Sequence, residues 1–72
     1  MTEDIKVLFG QNLRKIRIGK NISQEELAFR SGLHRTYVSS VERGERNISL
    51  ENIEKLARAL EIPMNDLMPE KR

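Results

Sequence analysis

The sequence predicts an all-α chain, a compact bundle of five helices. Apolar residues recur at the 3.6-residue period of a helix, and no stretch alternates at period two for long enough to make a strand. Cap and turn residues then cut the chain into separate helices. Ile5, Leu8, Phe9, Asn12, Leu13, Ile16 and Arg17 follow the period, so residues 4–19 form the first helix, with Thr2 or Asp4 near its start. Gly10 weakens it slightly, and Gly19 or Asn21 supplies the left-handed cap that ends it. Ser23 followed by Glu26 is a capping box, which opens a second helix through roughly Arg30. After Gly32, His34 caps a third helix that runs to about Arg43 and stops at Gly44. Ser49 caps the fourth, whose apolar stripe is Leu50, Ile53, Leu56, Ala57 and Leu60. Pro63 cannot continue that helix but suits the first turn of a fifth, Pro63 to Met68. Pro69 ends it, and Glu70, Lys71 and Arg72 fray.

Seventy-two residues make a single domain, residues 1–72, and a core this small gains from a partner subunit. With no cysteine there is no disulfide framework, thiolate metal site or thiol nucleophile. The apolar runs are far shorter than a membrane span and no hydrophobic signal segment opens the chain, so the expected location is the cytoplasm. A net charge of +2 says little alone, but its distribution is uneven. Residues 1–46 hold nine Lys/Arg against six Asp/Glu; residues 47–72 hold four against five. The basic excess lies in the first part of the chain.

That part carries a particular spacing. Counting Gln24 as position one, a small residue (Ala28) falls at five, glycine (Gly32) at nine, and Leu33, Val38 and Val41 at ten, fifteen and eighteen. Ala28 lets two helix axes cross closely, Gly32 turns the chain with positive φ, and the three apolar residues lock the second helix of the pair onto the first. This is the pattern of a helix-turn-helix over residues 23–43, whose second helix lies in a DNA major groove.

The residues resemble the lambda-repressor-like (Xre-type) helix-turn-helix family over residues 4 to 68: Arg17, Ser23-Gln24-Glu25-Glu26-Leu27-Ala28, Gly32, Val38, Val41-Glu42-Arg43-Gly44 and Leu56-Ala57-Arg58-Ala59-Leu60. Within this, the run from Leu33 through Arg35-Thr36-Tyr37-Val38-Ser39 and Arg46-Asn47 to Ser49 is most similar to the controller proteins of restriction–modification systems. The resemblance implies a homodimer that binds inverted-repeat operators in double-stranded DNA. It also implies activation and later repression of its own gene and that of the endonuclease, with RNA polymerase as a partner when activating. The family pattern further implies a structural ion pair between Arg17 and Glu42, two charges on otherwise apolar faces.

Arg35 and Thr36 occupy the first turn of the third helix. Arginine can donate two parallel hydrogen bonds to guanine O6 and N7, and threonine can combine its hydroxyl with a methyl contact to thymine. Ser39 and Ser40 are further candidates for base contact, as is Arg46 in the following loop. Gln24, at the start of the second helix, is placed to hold a phosphate with its amide and the backbone N–H groups there. Arg43 and Asn47 straddle the DNA backbone on the other side, and His34 either caps the third helix or touches a phosphate. Tyr37 has two readings, a core residue or a contact offering its hydroxyl to the backbone. Met64, Leu67 and Met68 exceed what one short helix can bury, so a dimerisation region is expected within about residues 50–68.

One histidine makes neither a metal site nor an oriented acid–base pair, so no metal, cofactor or enzymatic activity is expected. The alternatives are an antitoxin-type or phage-type repressor and, further off, a helical adaptor without DNA affinity.

Overall fold

Five helices make up the computed structural model, which describes residues 4–69: α1 (Ile5–Gly19), α2 (Gln24–Ser31), α3 (Arg35–Glu42), α4 (Leu50–Leu60) and α5 (Met64–Leu67). Each start has a local cause. Asp4 caps α1 by accepting from the Lys6 N–H at 2.9 Å, and Ser49 caps α4 by accepting from the Asn52 N–H at 3.1 Å. The other expected cap for α1, Thr2, lies outside the described residues, as do Glu70, Lys71 and Arg72.

The capping box of α2 is only half made. Ser23 Oγ accepts from the Glu26 N–H at 2.9 Å, but the Glu26 carboxylate turns down the helix to Arg30 at 2.7 Å. An i,i+4 cation competes with the backbone for that carboxylate and wins here. Asn21, with φ 59°, takes the left-handed position after α1, so Gly19 is simply its last residue. Gly32 ends α2 with φ 76° and donates to Ala28 O at 2.9 Å, as the spacing required. Pro63 falls one place earlier than expected, capping α5 rather than opening it.

The core draws on all five helices. Leu13, Leu27, Val38, Val41, Leu56, Leu60 and Leu67 are fully buried, joined by Phe9, Ala28, Ile53 and Ala57. α1 packs on α3 and α5, α2 on α3 and α4, and α4 on α5, so α3 is held from two sides while its remaining face meets solvent. Asn12 of α1 adds a polar clasp: its Nδ2 donates to Asp66 O at 3.0 Å and Leu67 O at 2.8 Å, satisfying two carbonyls at the end of α5.

Three expectations change. Leu50, the first residue of α4, is 74% exposed although its period puts it on the same face as Ile53 and Ala57. Leu67 has no exposed surface at all, so it belongs to the protomer's own core and cannot line an interface. Gly10 does more than weaken α1. A Cβ there would lie 2.6 Å from Glu42 O and closer still to Val41 O, so only glycine lets α1 come this near the end of α3.

Candidate nucleic-acid interface

α3 presents a stripe to solvent that follows from its period. Val38 and Val41 point into the core, which leaves Arg35, Thr36, Ser39 and, one turn further, Arg43 on the opposite side. His34, Arg35 and Thr36 are exposed and, among the described residues, their side chains make no hydrogen bond. His34 occupies the cap position of α3 by its backbone alone, since its side chain bonds no helix N–H. The expected N-cap position is thus occupied, without a side-chain hydrogen bond.

Beneath this stripe sits a buried charged cluster. Arg17 donates from Nε to Glu42 Oε2 at 2.6 Å, from Nη2 to Glu42 Oε1 at 3.1 Å and from Nη1 to Ile22 O at 2.8 Å. Their side chains are 10% and 2% exposed, so the ion pair expected from the family pattern is present and well enclosed. Gln24 joins it by donating from Nε2 to Glu42 Oε1 at 2.9 Å. A carboxylate only accepts, so the amide nitrogen of Gln24 must face inward. One N–H of the Gln24 amide is thus committed to Glu42. The backbone N–H groups of Gln24 and Glu25 keep no partner among the described residues and open outward at the start of α2.

The far end of α3 is bonded differently. The exposed Arg43 guanidinium forks onto Glu45, Nε to Oε2 at 3.0 Å and Nη2 to Oε1 at 3.1 Å, while Nη1 donates to Ser39 Oγ. The hydrogen bonding between Arg43 and Glu45 raises Arg43 further above its ordinary range and holds the Glu45 carboxyl below its own, with a smaller pull from nearby Arg46. Residues two apart do not meet on a helix; these two meet because the chain turns at Gly44.

Ser40 is not on the outer face. It is buried, donates to Tyr37 O at 2.8 Å and accepts from Arg46 Nε at 3.1 Å. Its expected base contact is excluded by the helix period, which turns it towards the loop and makes it a brace for Arg46. The Arg46 guanidinium lies 5.5 Å from the centre of the Tyr37 ring, a cation–π distance. The Tyr37 ring is half-buried against the core, as its first reading has it, while the hydroxyl accepts from Asn52 Nδ2 at 3.0 Å. Asn47 is exposed beside Arg46.

The sequence reading missed Asn52 and Glu45. Nothing in local spacing marks Asn52, which reaches Tyr37 across the fold. Glu45 had a weak signal, an acid flanked by Arg43 and Arg46.

A helix-turn-helix family model matches residues 13–67, most of the chain. The chain belongs to the helix-turn-helix family. Its members are DNA-binding transcriptional regulators rather than enzymes. It is 56% identical over 69 residues to control protein C.BamHI of Bacillus amyloliquefaciens, covering 94% of this chain and 85% of that protein. Among solved structures it resembles the restriction–modification controller protein C.AhdI of Aeromonas hydrophila with a TM-score of 0.86 and 59% identity, over 88% of this chain and 96% of that one. It also resembles the controller protein C.Esp1396I, solved as a tetramer on its natural 35 base-pair operator, with a TM-score of 0.80 and 34% identity, over 86% and 82%. The five-helix expectation and the family resemblance both hold. Among the described residues no helix is long and apolar enough to cross a membrane.

Proposed function

We propose that this chain is the controller protein of a restriction–modification system, a single-domain cytoplasmic regulator that binds an inverted-repeat operator as a homodimer and governs its own gene and the endonuclease gene. The observation that carries the reading is the exposed, unbonded Arg35–Thr36 pair at the start of a helix-turn-helix second helix. The likeness to controller proteins, one of them solved on its operator, supports it.

Arg35 and Thr36 read base edges; Ser39 and Arg46, whose side chains are already bonded to Arg43 and Ser40, face the same groove without carrying the base preference. Gln24, His34, Tyr37, Arg43 and Asn47 hold the sugar–phosphate backbone. Gln24 does so with its second amide hydrogen and the α2 backbone N–H groups, Tyr37 with the proton of its hydroxyl. The dimerisation region lies within about residues 50–68, where Met68 is exposed and Met64 half-buried. When activating, the DNA-bound protein contacts RNA polymerase.

The experiment is a footprint on the DNA upstream of the gene, paired with sedimentation of the free protein. Protection of an inverted repeat with half-sites about 10–11 bp apart, by a species of twice the chain mass, is expected. A protein that stays monomeric and protects no symmetric sequence would contradict the reading.

A further inference from the structure

Tyr37 is held from three directions, more than its packing needs. Its ring is half-buried against the core, and the Arg46 guanidinium lies 5.5 Å from the ring centre. Arg46 is itself braced by Ser40 Oγ, which donates in turn to Tyr37 O. The third hold is Asn52, whose Nδ2 donates to the hydroxyl at 3.0 Å from the first turn of α4. α3 packs chiefly on α1 and α2, so this bond reaches a helix that α3 otherwise meets little. Asn52 is half-buried and its backbone N–H is tied to Ser49 Oγ at 3.1 Å, so the donor comes from a fixed place.

A phenol hydroxyl both donates and accepts. Its proton lies near the ring plane, on one side of the oxygen or the other, with the acceptor side opposite. Once the ring is fixed, that choice is the freedom left. An amide N–H has no lone pair, so it meets only the acceptor side. The proton is thereby turned away from Asn52, and among the described residues no acceptor takes it. We propose that Asn52 is a positioning residue for DNA binding: its amide sets the Tyr37 hydroxyl so that the proton faces a DNA phosphate. The inference rests on reading Tyr37 as a contact to the DNA backbone. A hydroxyl preset in this way gives up no orientation when the phosphate arrives, and a neutral donor releases no counterion of its own. Asn52 needs no contact with DNA; it acts through Tyr37.

The test is a cycle of N52D, N52A and Y37F, titrated on the operator across a salt series. N52D keeps the shape but replaces the donor with a carboxylate, which only accepts and so draws the hydroxyl proton inward. A negative charge in the first turn of α4 suits a helix N-terminus, so N52D should melt no lower than the unaltered protein. Y37F should weaken binding roughly tenfold per protomer, the size of one hydrogen bond to a charged group, with the salt slope unchanged. N52D should weaken it at least as much. In a Y37F background N52D should cost only about twofold, the repulsion of one screened surface charge. N52A frees the hydroxyl to turn either way and should cost about twofold per protomer with Tyr37 present and nothing without it. With one tyrosine and no tryptophan, the near-ultraviolet band reports Tyr37 alone. It should move further to the red in N52D than in N52A, because a phenol that donates to an anion absorbs at longer wavelength. Losses from N52D or N52A that are equal with and without the Tyr37 hydroxyl, or an N52D band that does not move, would overturn the proposal while leaving Tyr37 as a backbone contact. Y37F binding as tightly as the unaltered protein would instead sink that reading, and this inference with it.

Discussion

At the N-terminal end of α3, Arg35 and Thr36 are exposed and make no side-chain hydrogen bond among the described residues. At its C-terminal end Ser39, Arg43 and Glu45 are bonded to one another, and Ser40, Arg46, Tyr37 and Asn52 form a second linked group. If α3 faces DNA as proposed, the difference separates two kinds of recognition. An uncommitted donor gives up only water when it meets a base edge, so the right base is rewarded and the wrong one leaves the donor unmatched. A donor already paired exchanges one partner for another, and the net gain is small. That suits sequence-independent grip on phosphate.

The Arg17–Glu42 pair ties the last residue of α3 to α1, and breaking it has the largest expected effect. Arg17→Met or Glu42→Leu leaves a buried charge unpaired and should cost about 3–5 kcal/mol of stability, while the double substitution should lose much less than the sum. Thermal and denaturant melts read this directly. Additive losses would mean that the two side chains act independently, against the geometry.

Arg43→Ala comes next and sharpens the contrast. It should weaken binding to every sequence alike and lower the salt slope by about one for each phosphate left without its cation. A selective loss at one base pair would put readout at both ends of α3 and erase the distinction.

The smallest effect is a pH dependence. The Arg43 hydrogen bond holds the Glu45 carboxyl below its ordinary range, so the group's folded-state value lies under its unfolded one. Its contribution to stability is therefore complete above the ordinary carboxylate value, about 4.3, and is lost as pH falls through the lower folded value. The Glu45 side-chain carboxyl resonance should accordingly hold steady from neutral pH down to about pH 5 and titrate at lower pH than in R43A. Titration at the ordinary value in both proteins would show that the pair is not formed in solution.

Helix order, the cap at Ser49, the turn at Gly32 and the core positions of α3 were all legible, because each depends on neighbours within one or two turns. What was illegible depends on neighbours brought by the fold. Ser40 and Ser39 look alike in sequence, yet one helical step buries the first and leaves the second at the surface. Leu67 reads as surplus hydrophobicity until α1 and α4 close over it, with Asn12 clasping the chain at that point. Gly10 reads as a weak helix former, whereas its function is to let two backbones meet. The outward stripe of Arg35, Thr36 and Arg43 was recoverable from the motif. The bonds that commit Arg43 and Arg46 were not, since Glu45 and Asn52 carry no periodic signature.

The central claim is that sequence is read from the unbonded end of α3, and one titration series tests it most directly. Arg35→Ala and the unaltered protein are measured side by side on the operator and on every single-base variant of one half-site. The account predicts that Arg35→Ala loses roughly 1–3 kcal/mol per half-site on the operator and that preference collapses at a single base pair, a guanine, with the other positions keeping theirs. Full base discrimination retained by Arg35→Ala, whatever its overall affinity, would contradict it.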